Sequence, residues 1–351
     1  MKTLMGVLLM ALLATGCGWP ASASPASASR HSAPAVLLAP KSHHRGHTKH
    51  SPLSSPAVSI QAMDWFTPKV GWVVVGPALT DPTTPALYET RDSGQKWTRV
   101  LYHANGGADA FGSQVFRVVA LNFTDPAHGA LVASLGVGAC QESFAVWTTS
   151  NGGQSWSSAG TIFGSDGPVS IAQYASTTPN FFANGSCANS STFLYEFTSR
   201  GWHETTYPGP SAASTAMGVV VIPAPAGVTL VTDYGEYSAS GATGPYMYLT
   251  GVPDGSTVRW TFPGQGAVEK MAFLSPAVAW IETTRHLYQT VDQGKHWTVL
   301  RTPPVKLYTA PLVALTGTAP NPVGWYASGP DLWQSVDDGT SWSQVSTPWD
   351  R

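Results

Sequence analysis

Two carboxylic acids near the middle of the chain have the types and spacing of a sugar-cleaving pair. Asp233 and Glu236 are separated by two residues, and Tyr234 and Tyr237 follow them directly. Glycoside hydrolysis uses one carboxyl group as general acid and another as nucleophile or base, and a tyrosine ring can stack on a sugar. The same residues are also typical of a polar hairpin loop with aromatic packing. The sequence leaves both interpretations open and marks this segment as a candidate ligand loop.

Four other Asp or Asn residues stand in a repeated frame that reads aromatic-x-Ser/Thr-x-Asp/Asn-x-Gly-x-x-Trp. Such acids could hold a metal or act in catalysis, but turn chemistry already explains them. Asp or Asn can accept hydrogen bonds from backbone N–H groups ahead of it, and glycine tolerates positive φ. We therefore predict four structural hairpin turns, called boxes and named by their closing tryptophan, at Asp92, Gly94 and Trp97; Asn151, Gly153 and Trp156; Asp292, Gly294 and Trp297; and Asp337, Gly339 and Trp342.

The spacing of the boxes indicates the architecture around them. Weaker copies lead to Trp202 and Trp260, so six closing tryptophans between Trp97 and Trp342 give a mean interval of (342 − 97)/5 = 49 residues. Each clear box follows an inner strand, a strand with a small-residue corner and an aromatic strand. Four strands repeated at about 40–50 residues are typical of a propeller. We predict an all-β fold of about six four-stranded blades, with seven also compatible and residues 58–61 as the innermost or closing strand.

The boxes, together with Gly-aromatic strands such as Gly71-Trp72 and Gly324-Trp325, resemble those of the BNR/Asp-box repeat proteins. That group includes sialidases, sortilin-type receptors, xyloglucan-cleaving glycosidases and the photosystem II assembly factor, and the cadence is most similar to the last. The resemblance covers residues 57–346. It implies the propeller fold and, through the assembly-factor group, help in folding a membrane complex. It implies no activity, because unrelated functions share this turn.

The arginines do not form the pattern that a sialidase-like site needs. Such a site would bring three arginines together in the central cavity, but Arg91 lies inside a box and Arg99 and Arg301 fall in predicted outer strands. The chain also has no CxxC motif and no phosphate loop. We assign no catalytic residue, no cofactor and no metal, and we keep a glycoside hydrolase or carbohydrate-binding propeller as the alternative function.

The first residues have the pattern of an export signal. Lys2 precedes an apolar run from Leu4 to Ala14, which is too short for a permanent membrane helix. The following Leu13-Ala14-Thr15-Gly16-Cys17 resembles a bacterial lipobox, which implies a signal peptide over 1–16 and a lipid on Cys17. The alternative is an ordinary signal peptide cleaved between residues 21 and 24. We expect a lipoprotein on the outer face of the bacterial cell membrane.

Residues 17–56 differ in composition from the rest of the chain. They are rich in Ala, Ser, Pro and His, and Trp19 is their only aromatic residue. Such a segment buries too little apolar surface to fold, so it is predicted to be a disordered tether. Its histidine tract at 43–50 is interpreted as a solvated spacer, with metal or anionic-surface contact as the alternative. The propeller then occupies 57–351.

With Cys17 carrying lipid, Cys140 and Cys187 remain, each shortly before an aromatic strand. If those strands are equivalent in neighbouring blades, the two sulfurs could meet. A disulfide is the expected state of such a pair in an exported protein, and two free thiols are the alternative.

The overall charge excludes one class of partner. The chain has 18 basic and 20 acidic residues, and charged residues make up only 11%. A nucleic-acid partner is therefore not expected. Long glycine-rich insertions at 104–112 and 208–215 favour a binding surface, because recognition commonly lies on loops of a rigid scaffold. We expect a non-catalytic binding or assembly scaffold for a protein or carbohydrate, with membrane contact only through the anchor.

Overall fold

The protein is described here by a computed structural model. It describes residues 58–77, 85–100, 117–138, 141–164, 169–174, 180–186, 192–198, 200–205, 218–224, 227–234, 246–252, 255–262, 268–303, 312–318 and 321–349. All of them belong to one compact unit, Leu53–Arg351.

The described residues form six antiparallel sheets of four strands each, numbered 1 to 6 in chain order. Sheets 1 to 3 contain β1 (Val58–Trp65), β2 (Gly71–Pro77), β3 (Ala86–Thr90) and β4 (Thr98–Val100); β5 (Arg117–Phe123), β6 (Gly129–Gly138), β7 (Gln141–Thr149) and β8 (Ser157–Gly164); and β9 (Ser170–Tyr174), β10 (Asn180–Ser186), β11 (Thr192–Thr198) and β12 (Gly201–Thr205).

Sheets 4 to 6 are built in the same way, from four consecutive strands each. They contain β13 (Gly218–Ala224), β14 (Gly227–Tyr234), β15 (Tyr246–Val252) and β16 (Thr257–Thr261); β17 (Val268–Ser275), β18 (Val278–Thr283), β19 (Leu287–Thr290) and β20 (Thr298–Leu300); and β21 (Leu312–Thr318), β22 (Asn321–Ser328), β23 (Asp331–Ser335) and β24 (Ser343–Gln344). The described residues include no helix long and apolar enough to cross a bilayer.

The first strands of the six sheets form a closed ring. β1 contacts β5, β5 contacts β9, and the series continues through β13, β17 and β21 back to β1. Every sheet consists of four consecutive strands, and each strand pairs with its sequence neighbour. The fold is therefore a β-propeller, as the sequence predicted. The segment at 58–61 opens β1, the innermost strand of sheet 1, and does not complete the last sheet.

The core lies in the joints, meaning the contact surfaces between neighbouring sheets. Described clusters of buried apolar residues fill the joints between sheets 1 and 2, 2 and 3, 4 and 5, and 6 and 1. Aromatic rings stack face to face across two of these joints. Trp72 stacks on Phe123 with ring centroids 3.8 Å apart, and Trp325 stacks on Trp65 at 3.3 Å. Both Trp72 and Trp325 are fully buried, so the Gly-aromatic strands supply the packing between blades.

The two ends of the ring differ. The turn from third to fourth strand lies beside the turn from first to second strand, since the amide of Ser93 donates to Lys69 O and that of Gly152 to Ala127 O. We call this the box end. Antiparallel order then puts the connections from second to third strand, and from each sheet to the next, at the opposite end, called the loop end.

Candidate functional site

The boxes show how their residues are used. In the Trp297 box, the Thr290 hydroxyl donates to Asp292 Oδ1 at 3.0 Å and accepts the amide of Gly294 at 2.9 Å. The same carboxylate oxygen accepts the amide of His296 at 2.9 Å. Hydroxyl, carboxylate and two amides thus close a seven-residue turn.

The other three boxes repeat this pattern. The equivalent hydroxyls, carboxylate or amide oxygens and glycine amides are those of Thr90, Asp92 and Gly94; Thr149, Asn151 and Gly153; and Ser335, Asp337 and Gly339. Asn151 takes the place of Asp with the same contacts, so the turn uses the acceptor oxygen rather than the charge.

The hydrogen bonds also fix the ionisation of the box acids. The amide of His296, its ring and the Thr290 hydroxyl lower the pKa of Asp292 to about 2. The amide of Lys96 lowers the pKa of Asp92, and the hydroxyl and amide of Ser341 lower that of Asp337. Such carboxyls carry no proton near neutral pH, so they are poor general acids.

Each box glycine also packs against the preceding sheet. Gly294 has a φ of +74°, and a Cβ placed on it would lie 2.6 Å from Cδ2 of Trp260 in sheet 4. Gly94, Gly153 and Gly339 likewise have φ values between +77° and +87°, and a Cβ on them would overlap Val345, Leu87 and Leu300 of the sheet before. Glycine is therefore required for two reasons. The backbone has a positive φ, and a side chain would overlap the neighbouring sheet.

Trp260 has a different place from the one that the repeat count gave it. It does not close a hairpin as Trp297 does. It lies in β16, where it packs against Gly294 and is 2% exposed. Position 260 therefore corresponds to Leu300 and Val345, and sheet 4 has no box.

A shallow groove of about 580 Å³ follows the joint between sheets 4 and 5 at the outer edge. Its lining residues are Arg259, Trp260 and Thr261 from β16 and Gln293, Gly294, Lys295, His296 and Trp297 from the box. The indole Nε1 of Trp297 donates to Gly294 O at 3.1 Å and to Thr261 O at 3.2 Å, so it links the two sheets.

A half-buried carboxyl that sequence reasoning missed links sheets 1 and 2. Asp64 Oδ2 accepts the amide of Phe123 at 2.6 Å, and Gln61 Oε1 accepts the amide of Val118 at 3.0 Å. Asp64 is half-buried at this joint. This burial raises its pKa to about 7, against the lowering effect of the Phe123 and Trp65 amides. No signal in the sequence separates Asp64 from the other scattered acids.

The suggestive acids of the sequence lie at the loop end. Asp233 and Tyr234 end β14, where Asp233 pairs through its backbone with Met247 and Tyr234 with Tyr246. Glu236 and Tyr237 lie outside the described residues. The segment joins second and third strands, so topology puts the candidate ligand loop opposite the boxes.

The predicted lipidation site and disulfide also lie outside the described residues, at Cys17, Cys140 and Cys187. The strands that flank the latter two are described. Position 140 falls between β6 and β7 of sheet 2, and position 187 between β10 and β11 of sheet 3, which are equivalent connections of neighbouring sheets.

Within the described part of the chain, no three His, Cys, Asp or Glu side chains converge as metal ligands would. His128 and His296 each meet one carboxylate, at 2.8 Å from Asp125 and 2.5 Å from Asp292. These exposed pairs belong to turns.

Comparison with known proteins supports the fold and nothing finer. No protein-family model and no curated protein matches the chain. Among solved structures, a lectin from Aleuria aurantia described as a six-bladed β-propeller with a novel fucose recognition mode has a TM-score of 0.51 at 16% identity, covering 83% of this chain and 95% of that one.

Two further structures are similar in the same sense. AofleA from Arthrobotrys oligospora has a TM-score of 0.52 at 11% identity, with 84% of this chain and 88% of that chain covered. YCF48 with a bound peptide has a TM-score of 0.44 at 15% identity, covering 82% and 95%, which is too low to carry an argument. At these identities the matches show that the chain has a β-propeller fold.

Proposed function

We propose that this protein is a non-catalytic scaffold of the BNR/Asp-box type, tethered outside the cell, that binds a protein or carbohydrate at the loop end of its propeller. The observation that carries the proposal is the difference between the two ends. In the four box-bearing sheets, the hydroxyl, the Asp or Asn oxygen and the glycine amide of each described box at one end bond to one another within the turn. The long insertions and the candidate ligand loop belong to the other.

The insertions at 101–116 and 206–217 connect successive sheets, and 235–245 connects β14 to β15. All three therefore begin and end at the loop end. A rigid ring that gathers variable segments on one face is a common arrangement for recognition. The fold is also compatible with this function, since one similar structure is a fucose-recognising lectin, although the fold alone does not transfer its ligand.

A lack of suitable acid chemistry among the box carboxyls favours binding over turnover. The turn-closing Asp92, Asp292 and Asp337 are ionised and tied into turns. Burial raises the pKa of Asp338, but its carboxylate accepts a hydrogen bond from Gln289 Nε2. Asp64 has the raised pKa of a proton donor, but the hydrogen bond described for its carboxyl goes to the backbone amide of Phe123. A glycosidase would need a second carboxyl across a cleft, and Asp233 with Glu236 remain the candidates for that alternative.

The first experiment compares two sets of variants of the mature full chain on glycan and peptide arrays. Tyr234→Ala with Tyr237→Ala alters the loop end, and Val336→Ala alters a box side chain that is 72% exposed. Loss of a ligand in the first set alone supports the scaffold. Equal loss in both sets would contradict a loop-end site.

The same preparations are tested for sugar release from chromogenic glycosides and polysaccharides. The scaffold predicts none. Release that disappears in both Asp233→Asn and Glu236→Gln would replace the scaffold with the glycoside hydrolase.

The anchor and the disulfide form part of the same proposal. If Cys17 carries lipid, the wild type should be labelled metabolically with a fatty-acid analogue. Cys17→Ser should abolish this labelling and release the protein from the membrane fraction. A mature chain that begins between residues 22 and 25 would instead indicate the ordinary signal peptide. Either result leaves the loop-end site to be tested separately.

A further inference from the structure

The groove between sheets 4 and 5 is cationic. Its eight lining residues include Arg259, Lys295 and His296 and no acid, although the whole chain has slightly more acidic than basic residues. Lys295 is exposed, and the His296 side chain is 88% exposed. A local excess of positive charge in a concave surface attracts anions.

One neighbouring carboxylate reduces this charge without abolishing it. Asp292 belongs to the same box, and its carboxylate contacts His296 Nδ1 at 2.5 Å. Because the pKa of Asp292 is lowered to about 2, the carboxylate is ionised and holds the imidazole in one orientation. Lys295 has no such partner among the described ion pairs.

The groove also contains an aromatic ring in a fixed orientation. Trp297 is half-buried and meets Trp260 and Phe262 edge-on, with ring centroids 6.0 Å and 5.0 Å away. Its Nε1 donates to carbonyls of both sheets. A ring held in this way loses little conformational freedom when a ligand packs on it.

The arrangement disfavours a peptide strand as the occupant. β16 is the outermost strand of sheet 4, so its free edge is where an extended peptide would pair. Trp297 Nε1 already binds the carbonyl of Thr261 at that edge. The indole therefore occupies the last carbonyl in the row of backbone groups that a peptide would need. A ring-shaped ligand needs no such row.

From the cations, the fixed indole and the occupied end of the β16 edge, we propose that this groove binds an acidic saccharide through its carboxylate or sulfate groups. Lys295 and His296 would contact the anionic group, and Trp297 would pack against a sugar ring. The site lies at a joint between sheets and is separate from the loop-end site proposed above, so either can fail without the other.

The boxes themselves offer a matched test. Lys295 occupies the position held by Gln95 and Gln154 in two other boxes, so Lys295→Gln introduces a side chain that this turn already accommodates. Gln95→Lys is the reciprocal control, because it places the same cation in a box at another joint. Titration calorimetry measures binding of galacturonate and sulfated oligosaccharides, a neutral oligosaccharide of equal length, and a glutamate-rich peptide, at two salt concentrations.

We expect at least one of the two acidic oligosaccharides to bind. Its affinity should fall about threefold to tenfold in Lys295→Gln and should also fall at the higher salt concentration. Gln95→Lys should bind as the wild type does. The uronate and sulfate arms identify which anion is preferred.

Three results would overturn the proposal. They are equal binding of the neutral oligosaccharide, tighter binding of the acidic peptide than of any saccharide, and wild-type affinity in Lys295→Gln. Failure of every saccharide to bind the folded protein would overturn it as well, with folding checked by circular dichroism.

Discussion

Sheets 1, 2, 5 and 6 have boxes, and sheets 3 and 4 do not, yet all six have the same strand order. The third and fourth strands are joined by seven residues in the box-bearing sheets. Only residues 199–200 join them in sheet 3 and 253–256 in sheet 4. The blade topology therefore does not depend on the box.

What the box adds is a contact with the sheet before it. Gly294 packs on Trp260, and Gly94 packs on Val345 of the last sheet, so a box lies at the joint that closes the ring. Gly201, which follows the short turn of sheet 3, has a φ of +97°, but a Cβ added there would have no atom within 4 Å. The comparison separates two roles of glycine, since only the box glycine is needed for packing as well as for its backbone.

The largest expected effect tests that separation directly. Gly294→Ala combines positive φ with overlap against Trp260, and should lower the free energy of unfolding by about 2–5 kcal/mol. Gly201→Ala has the backbone cost alone, about 1–2 kcal/mol. Urea unfolding of both variants measures the difference. Equal losses would show that the box glycine has no packing role.

The next effect concerns a joint that has no box. Boxes lie at the joints 6–1, 1–2, 4–5 and 5–6, whereas the proposed Cys140–Cys187 disulfide would connect sheets 2 and 3. Its removal in Cys140→Ser should cost about 2–4 kcal/mol, because the bridge closes a loop of nearly fifty residues. Peptide mapping without reductant checks the bond. Two free thiols, with unchanged stability in the variant, would mean that side-chain packing alone holds sheets 2 and 3 together.

A third effect concerns the ring closure between sheets 6 and 1. Trp349 lies against Tyr88 and Trp97, with ring centroids 4.9 Å and 5.3 Å away, and its Nε1 donates to Pro330 O at 3.0 Å. Trp349→Ala should cost about 1–3 kcal/mol, less than for a fully buried tryptophan. Trp349→Phe keeps a ring at this position and serves as the control. Hydrogen exchange should rise first in β3 and β23, which the Trp349 contacts adjoin, and a uniform rise would contradict a role at this joint.

The smallest expected effect is a pH dependence of stability that separates two hydrogen bonds between inner strands of neighbouring sheets. Asp64 accepts the amide of Phe123 at the joint 1–2, whereas the neutral hydroxyl of Ser170 accepts the amide of Val221 at 3.2 Å at the joint 3–4. The folded-state pKa of Asp64, about 7, lies above the unfolded value. The contribution of Asp64 to the free energy of unfolding is therefore fully present below about pH 4 and is lost as the pH rises through 7.

Unfolding measured between pH 5 and pH 8 should show a fall of up to about 2 kcal/mol that Asp64→Asn removes. The turn-closing Asp92, Asp292 and Asp337 do not interfere, because their pKa values are lowered and they titrate at more acidic pH. Burial raises the pKa of the neighbouring Asp338, so the slope is assigned to Asp64 only by the difference between the wild type and Asp64→Asn. Ser170→Ala should leave the slope unchanged. A flat wild-type profile would mean that Asp64 is solvated.

The sequence predicted the box-bearing sheets well because their signals are local. Hydroxyl, acid, glycine and tryptophan fall within a few residues of one another, so a single window contains the whole turn. Sheets 3 and 4 were harder, because a short turn leaves no such pattern, and Trp260 was assigned to a hairpin end when it lies within a strand. The propeller fold itself could be predicted from the regular spacing of the closing tryptophans.

The contacts between sheets could not be predicted in the same way. Asp64 and Phe123 are 59 residues apart, and the groove brings β16 together with a box more than thirty residues later. No short-range pattern indicates which acid will be buried or which lysine will border a groove. The joints are therefore where the structure adds most to the sequence.

Because each sheet is made of four consecutive strands, the joint between the last sheet and the first resembles the others in construction. The point at which the polypeptide begins is then arbitrary with respect to the ring. Moving the termini to another inter-sheet connection leaves every strand pairing intact, so circularly permuted chains should fold. By the same logic, duplication or deletion of one four-strand segment changes the number of blades without rebuilding any of them, which is a simple genetic route between propellers of different sizes.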